Sequence, residues 1–392
     1  MLTSNLKLKD SALKEALLVL LNGISETHQP GTTAMTTGQG YYFWYSEQHL
    51  AKVCQLVVDD PKIGKMITWK SLGQTIIQQI GKDRASNLDN LEITETIIAK
   101  IREEPQVYFC LLPIFGINVT SPFTMGRIVL YPSEQKEKVV KNAISNDNLE
   151  QQVKDTLSDT QNFATLRVKA LDSAGAIDLA IAHVKTVLNI LKFVFNTPSG
   201  MYQIGIGKKN KTVLDKEFLA VAENHGLTQH PFNYLPQELE LSEIDDPRNI
   251  AAKNYIDKIS IIEDKFLGEK STVPLERGLL NATNLVANGL DGEEITIQLI
   301  QLMSAIESLV EQKTFVQSIT DQVCERVAQL LGTTEEGRMD IYKTLSVLYG
   351  KRSDLSHGEI ATVTHYDISN LWVLARGLCL YFRQIVKFKL NI

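Results

Sequence analysis

The chain of 392 residues has little cysteine, no excess of positive charge and no long apolar run. Its four cysteines, Cys54, Cys110, Cys324 and Cys379, lie far apart, so no pair has the spacing of a metal site or of a redox motif. Four thiols in so long a chain do not make a disulfide scaffold, and this usage favours a reducing compartment. We therefore expect a cytoplasmic protein.

The charge balance and the apolar pattern argue against two further classes of protein. Because the formal net charge is −6, overall charge would not hold a nucleic acid, and any RNA must meet a local basic patch. No apolar run approaches the roughly 18 residues that cross a bilayer. The N-terminal segment has the period of an amphipathic helix and lacks a signal-peptide cleavage site, so we expect no membrane partner.

Motifs of several common enzyme and metal sites are also absent. The chain contains no HExxH, no Cys/His quartet and no GxSxG. The sequence therefore does not support a metalloprotease, a zinc module or a serine hydrolase. We expect no metal ligands and no cofactor.

Three features have a structural explanation that we favour over a functional one. The aromatic stretch 41–45 could stack bases, but a half-buried strand explains it better. The stretch GIGKKNK (205–211) could bind a phosphate, but it lacks the P-loop pattern, so a hairpin turn is favoured. His183 lies beside the apolar stripe of a long predicted helix, where a structural histidine is the simpler interpretation.

The chain contains two regions of different pattern, and the first is mixed. Apolar residues recur at helical spacing in four segments: 13–21, 50–57, 93–101 and 173–196. Strand patterns occur in three segments: 107–119, 126–132 and 162–171. The polar segment 133–162 is predicted as an exposed helix or a mobile insertion, 201–207 and 212–221 as a hairpin, and 226–248 as a loop. We predict an α+β N-terminal region over residues 1–260.

The second region is almost purely helical from residue 274 onward. Five segments carry apolar residues three and four apart: 274–290, 293–310, 315–332, 333–350 and 367–388. We therefore predict an all-α helical bundle for the C-terminal domain, residues 261–392.

The stretch YGKRSDLSHGE (349–359) forms a polar break between the last two predicted helices. Arg352 and His357 are the two catalytically plausible side chains in it. The structural alternative is that Arg352 bonds the last carbonyls of the preceding helix and that His357 and Gly358 only begin the next loop. Local sequence leaves both interpretations open.

The wider context of this stretch is similar to a known family. LYGKRSDLSHG resembles the pattern LY-x-x-R-S-x-x-x-H-G of the ApeA-like branch of the HEPN superfamily. Glu276-Arg277 and Ala305-Ile306-Glu307 resemble two upstream helical motifs of that branch, the first with one extra residue before its alanine. The resemblance covers roughly residues 250–392. Glu359 stands where many HEPN toxins have a tyrosine.

The resemblance implies a metal-independent endoribonuclease that acts in antiphage defence or as a toxin. His357 would move the proton of the RNA 2′-hydroxyl, and Arg352 would stabilise the phosphorane. Ser353 and Asp354 would orient this pair of side chains or the scissile phosphate. Two interpretations of Glu307 stay open: a buried anchor for Arg352, or a carboxylate at the surface of its helix. The family also implies a homodimer or higher oligomer through the C-terminal domain, with a composite dimer cleft that binds the RNA substrate.

Two points stay open at the level of sequence. The region 1–260 would restrain or direct cleavage, with a phage-derived component, a nucleic acid or a protein as its trigger. The alternative function is a non-catalytic HEPN module that binds RNA or a nucleotide or serves in assembly, with Arg352 and His357 holding the fold or the ligand.

Overall fold

The computed structural model describes most of the chain, and the statements below concern these residues. The described ranges are 10–36, 42–60, 63–64, 66–103, 105–143, 162–171, 173–198, 200, 202–207, 216–222, 226–232, 238–267, 273–291, 294–310, 319–359 and 361–386.

Helices dominate the described residues. They are α1 (Asp10–Asn22), α2 (Glu47–Val58), α3 (Trp69–Ala85), α4 (Asn90–Ile101), α5 (Lys136–Ala143), α6 (Ser173–Phe195), α7 (Ile250–Leu267), α8 (Pro274–Asp291), α9 (Ile295–Val310), α10 (Ile319–Leu331), α11 (Glu335–Ser356) and α12 (His365–Ile385).

Strands are confined to the part of the chain before residue 241. They are β1 (Thr32–Thr36), β2 (Tyr42–Ser46), β3 (Gln106–Phe115), β4 (Ile117–Asn118), β5 (Phe123–Met125), β6 (Ile128–Pro132), β7 (Asn162–Ala170), β8 (Gly205–Ile206), β9 (Lys216–Ala222), β10 (Gly226–Phe232) and β11 (Leu239–Glu240). The described fold is therefore mixed α and β first and helical afterwards, as predicted.

The chain divides into two compact units. The first comprises Met1–Cys110 and Leu166–Ala182, and the second comprises Leu111–Thr165 and His183–Ile392. The predicted domain boundary at residues 260 and 261 falls inside α7, and the assignment of functions to either side of it stays a prediction.

The first unit is built on helices α1 to α4 around one apolar core. Leu13, Leu17 and Leu20 on α1 are at most 1% exposed, which confirms the helical period in the N-terminal segment. Side chains at the helix starts keep the ends in place: Ser46 and Thr68 cap α2 and α3 by accepting backbone N–H bonds. Each cap satisfies a donor that the helix itself cannot pair.

The β1–β2 hairpin explains most of the aromatic stretch 41–45. Its strands pair antiparallel, with Ala34 opposite Trp44. Phe43 is fully buried, whereas Tyr42, next to it, is 46% exposed, as the alternation of a strand requires. The half-buried strand is confirmed for Tyr42–Tyr45; Tyr41 lies outside the described residues.

The larger sheet has five strands in the order β5-β6-β7-β3-β8. The pairs β5–β6 and β6–β7 are antiparallel, and Val129 lies opposite Thr165. All three strands predicted for 107–119, 126–132 and 162–171 are present, with a break at Gly116 in the first. Of the polar segment 133–162, the structure describes a short 3-10 turn, α5 and the first residue of β7; the remainder lies outside the described residues.

The predicted hairpin between 201–207 and 212–221 is wrong. Gly205–Ile206 instead pairs with the end of β3, and Lys216–Ala222 pairs with Gly226–Phe232, in a stretch predicted to be a loop. The strand Gly226–Phe232 was not predicted because it contains Pro231, and a proline has no N–H to donate to a neighbouring strand. The two-stranded sheet has only edges, however, so the proline is tolerated there.

Helix α6 is the one described helix that is long and apolar enough, by length and composition alone, to span a membrane. Half of its most apolar stretch is buried within the fold, and a core helix passes the same test. Of the predicted apolar stripe, Val184, Leu188 and Leu191 are buried, whereas Ile177 is 55% exposed. The stripe is thus buried only in its second half.

The second half of α6 packs against the helices that follow residue 274. Lys192 is 6% exposed and forms an ion pair with Asp291 at the end of α8. Arg376 of α12 donates to the carbonyl of Val194, and the Phe193 ring stacks on Tyr255. Removing residues before 261 would therefore leave Asp291 of α8 and Arg376 of α12 without these partners.

No strand occurs among the described residues of 274–386, so the predicted all-helical character is confirmed there. Helix α9 lies at the centre, in contact with α8, α10, α11 and α12. Leu299, Leu302 and Ile306 on α9 have no exposed surface. Helix α9 is therefore the buried helix against which the four other helices of this region pack.

Two glycines with positive φ offer a test of local strain. Gly116 (φ +78) separates β3 from β4, and a Cβ there would lie 1.8 Å from the Gln203 carbonyl oxygen. Gly31 (φ +77) has open space around it. We expect Gly116→Ala to cost about 2–4 kcal/mol, since the backbone must move as well as strain, and Gly31→Ala only about 1–2 kcal/mol. Urea unfolding checks this, and equal losses would contradict it.

Candidate active site at the end of helix α11

Helix α11 carries the candidate residues and extends further than the sequence predicts. Thr334 caps its start, and Ser356 is its last helical residue. The helix was predicted to end at residue 350, before a polar break, but it continues to Ser356. Arg352 therefore lies within the last turns of the helix. His357 is the C-cap, and its N–H bonds the Ser353 carbonyl at 3.0 Å. Gly358 follows with φ +78, the left-handed conformation that commonly ends a helix.

Arg352 is held by an acidic partner on α9. Its Nη1 donates to Oε1 of Glu307, and the guanidinium carbon lies 5.9 Å from the centre of the Tyr349 ring. The Arg352 side chain is 30% exposed and the Glu307 side chain is 14% exposed. Arg352 thus binds the side chain of the residue that the resemblance named, not the last helix carbonyls.

Tyr349 completes this arrangement from the preceding turn of α11. Its hydroxyl donates to the same Glu307 Oε1 at 3.0 Å, and the residue is 6% exposed. Burial, and next the Glu307 carboxylate, raise the pKa of Tyr349 far above its usual value of 10.0. Tyr349 therefore stays a donor at any physiological pH, and one carboxylate oxygen accepts from two α11 side chains.

His357 lies at the surface and on another side of the helix. A separation of five residues turns a helix by about 140° beyond one full turn, so Arg352 faces α9 while the exposed His357 faces outward. Ser353 is exposed and Asp354 half-buried. Among the described residues no hydrogen bond or ion pair joins Arg352 to His357, so the structure places them at one helix end without bringing them into contact.

Two residues that sequence reasoning missed tie the next helix to α11. Lys351 Nζ lies 2.7 Å from Oδ2 of Asp367. The same carboxylate accepts from the Thr364 backbone and hydroxyl in a capping box. Burial acts to raise the pKa of Asp367, but Lys351 and Thr364 outweigh it, so that pKa lies below 3.8. The Thr-x-x-Asp spacing was the available signal.

The other features singled out in the sequence lie elsewhere. His183 bonds Glu263 through Nδ1 at 2.5 Å, in line with the structural interpretation. His28 and Trp44 form an edge-to-face pair at 4.5 Å. Residues 208–211 lie outside the described part of the chain. In the described ranges, no three His, Cys, Asp or Glu side chains form a group that could hold a metal ion.

A cleft of about 440 Å³ lies in the second unit, apart from the end of α11. It is lined by the β5–β6 turn and by α7, and contains the ion pair between Arg127 and Asp264 at 2.7 Å. Arg127 and Asp264 thus already pair with each other.

Comparison of the chain with protein-family models, curated proteins and solved structures finds no match.

The shared carboxylate predicts a graded effect of two substitutions. Glu307→Gln removes the charge opposite Arg352 and should cost about 1–3 kcal/mol of unfolding free energy. Tyr349→Phe keeps the ring and removes one hydrogen bond, so about 1 kcal/mol is expected. Because both act on one oxygen, the double variant should lose less than the sum of the singles. Additive losses in urea unfolding would show that the two contacts are independent.

The Lys351–Asp367 pair predicts a pH-dependent contribution. The folded-state pKa of Asp367 is lowered, so its stabilisation is complete above the ordinary value of 3.8 and is lost as the pH falls through the lowered value. Asp367→Asn should therefore cost about 1–2 kcal/mol at pH 7 and much less at pH 3. Glu325→Gln, at an exposed position of α10, is the control. An equal loss of unfolding free energy at pH 7 and at pH 3 would contradict the prediction.

Proposed function

We propose that the protein is a metal-independent endoribonuclease of HEPN type, cytoplasmic, that acts in antiphage defence or as a toxin. The observation that carries the proposal is the end of α11, where a guanidinium clamped by Glu307 and Tyr349 precedes an exposed histidine by five residues. A fixed cation and a solvent-facing acid–base group are the two elements that cleavage of RNA requires.

The reaction follows from the chemistry of RNA, which carries its own nucleophile. His357 would take the proton of the 2′-hydroxyl, O2′ would attack phosphorus, and the P–O5′ bond would break. The proton returned by His357 would neutralise the leaving 5′ oxygen, giving a 2′,3′-cyclic phosphate and a 5′-hydroxyl. Histidine suits this because it changes protonation near neutral pH. Arg352 would stabilise the additional negative charge with its forked donors.

Ser353 and Asp354 are polar side chains that lie between Arg352 and His357 along the chain. Ser353 is exposed and Asp354 half-buried, so both can meet a bound phosphodiester or orient His357. Glu307 has a supporting role, because it holds Arg352 without contacting the substrate itself.

The proposal includes assembly of at least a dimer through the C-terminal helices. One arginine that faces α9 and one histidine that faces solvent make a sparse site in a single copy. A cleft to which two copies contribute would exclude water and add polar groups. The region 1–260 would sense a phage-derived, nucleic-acid or protein trigger, since an unrestrained ribonuclease would damage its own cell.

One observation favours a second candidate function. Arg352 already has an acidic partner and an aromatic face within its own chain, as a structural arginine would. In that case the module is non-catalytic and binds RNA or a nucleotide or serves in assembly.

Substitution of His357 tests whether it is the acid–base group. His357 is exposed, so His357→Ala removes no core volume and should leave the fold intact. Cleavage of total cellular RNA should fall by about 100- to 1,000-fold, and wild-type cleavage should continue in EDTA because the 2′-hydroxyl is the nucleophile. His365→Ala, at another exposed position, is the matched control and should cleave normally.

Substitution of Arg352 needs a variant that keeps its charge. Arg352→Ala would leave Glu307 without its cation, so a loss of activity could follow from a loss of stability. Arg352→Lys keeps the positive charge but not the fork, and should still lose about 100-fold in cleavage. Wild-type cleavage by a folded His357→Ala protein would exclude His357 as the acid–base group. No cleavage of RNA by the folded wild-type protein would support the non-catalytic module instead.

A further inference from the structure

Among the described residues, the outer face of α11 carries a regular seam whose members are exposed except for the half-buried Asp354. Counting along the helix, every third or fourth residue on this face falls on one stripe. Its members lie opposite the buried stripe of Leu345, Leu348 and Tyr349. The seam consists of Asp340, Lys343, Val347, Gly350, Asp354 and His357.

Two members of the seam are unfavourable for a helix that only faces water. Val347 is 60% exposed. Gly350 lies in the helix interior and is exposed, and a Cβ added there would meet nothing within 4 Å. A glycine weakens a helix relative to alanine, and packing among the described residues gives no reason for it. The exposed Val347 side chain projects from this face, and the missing side chain of Gly350 leaves a depression next to it. Packed helix pairs place such a projection of one helix into a depression of the other.

We propose that this seam is the docking surface for a second copy of the chain, with the two α11 helices antiparallel about a two-fold axis between Val347 and Gly350. Val347 of each copy then lies over the partner's Gly350. This inference deepens the proposed function, because it rests on the dimer proposed there and names its contact surface.

The charges on the seam select this orientation and register. In the antiparallel pairing Lys343 faces the partner's Asp354, and Asp340 faces the partner's His357, and symmetry repeats each pair. In a parallel pairing Lys343 would face the partner's Lys343 and Asp354 the partner's Asp354, which is repulsive. An antiparallel pairing centred on Val347 would place Asp340 against the partner's Asp354. Within the described residues, none of Asp340, Lys343 and Asp354 has an ion pair of its own chain that would compete.

The pairing also determines what the second copy brings to the candidate site. The partner's Asp340 would lie beside His357, where a carboxylate fixes the tautomer and orientation of an imidazole. Asp340 is then a positioning residue. The two His357 side chains would lie about 25 Å apart along the helices, since 17 residues rise 1.5 Å each. The dimer would have two separate clefts, unlike the single cleft that the family resemblance implies.

Charge exchange on the full chain tests the seam without any need for catalysis. Contact between two single helices is small for an interface, so a dissociation constant on the order of micromolar is expected, measurable by sedimentation equilibrium. Lys343→Asp and Asp354→Lys should each weaken the dimer by about tenfold or more, since each creates two like-charged pairs. The double exchange should restore the wild-type constant. Glu325→Lys, at an exposed position of α10, is the control and should change little.

Gly350→Ala should change the stability of the single chain and the strength of the dimer in opposite directions. The added Cβ meets nothing in the single chain, so the melting temperature should stay equal or rise. The dimer should weaken because the methyl group separates the helices. Lower stability together with an unchanged dimer would count against the seam.

Cross-linking distinguishes the seam from a single shared cleft. The four native cysteines are buried, and burial raises the pKa of their thiols to about 11 or 12, so they react slowly. A thiol reagent spanning about 8 Å should join Val347→Cys and Gly350→Cys dimers but not Ser353→Cys, whose copies would lie about 13 Å apart along the axis.

Each outcome decides one claim. Cross-links at Ser353→Cys alone overturn the seam and support a cleft centred on the motif, leaving the proposed ribonuclease standing. A monomer at every concentration, or single exchanges that the double exchange does not rescue, overturns the seam. Cleavage of RNA by the wild-type protein is measured separately and decides the ribonuclease.

Discussion

The ion pair between Arg352 and Glu307 is the interaction on which the end of α11 depends. A guanidinium that is two-thirds buried is costly unless it is paired and hydrogen-bonded, and α9 supplies the carboxylate from the centre of the helical region. Tyr349 donates to the same oxygen, so the arginine, the tyrosine and the glutamate hold one another in a single arrangement. The cost of desolvating charge is thereby offset, and a positive charge is kept near the surface in a fixed place.

The position of that pair depends in turn on packing from an earlier part of the chain. Helix α9 contacts both α8 and α12. Each of these two helices also bonds the second half of α6, through Lys192–Asp291 and Arg376–Val194. The helical region after residue 274 therefore does not complete its own polar contacts.

Helix α11 has two faces with different tasks. The inner face contributes Leu345, Leu348 and Tyr349 to the core and the arginine to the ion pair. The outer face carries charges of both signs, an exposed valine and an unobstructed glycine. This division explains why the helix shows little amphipathic contrast in sequence: charged and apolar residues occur on both faces. His357, at the C-cap, belongs to the outer face and is available to substrate or to a second chain.

The sequence by itself determined the helices and most of the long strands, because apolar spacing reports directly which face of an element is buried. The five C-terminal helices and the strands that begin at Gln106, Ile128 and Asn162 follow from it. The pairing of Glu307 with Arg352 does not, because apolar spacing says nothing about which carboxylate reaches the guanidinium. Only the tertiary structure decided where α11 ends, since Lys351 to Ser356 look like a polar break until the contacts with Glu307 and Asp367 hold them in a helix. It alone decided the partners of Gly205–Ile206 and Lys216–Ala222, because strand pairing is a long-range choice that local pattern does not encode. It also decided that Arg352 faces inward and His357 outward, which depends on the rotation of one helix against its neighbours.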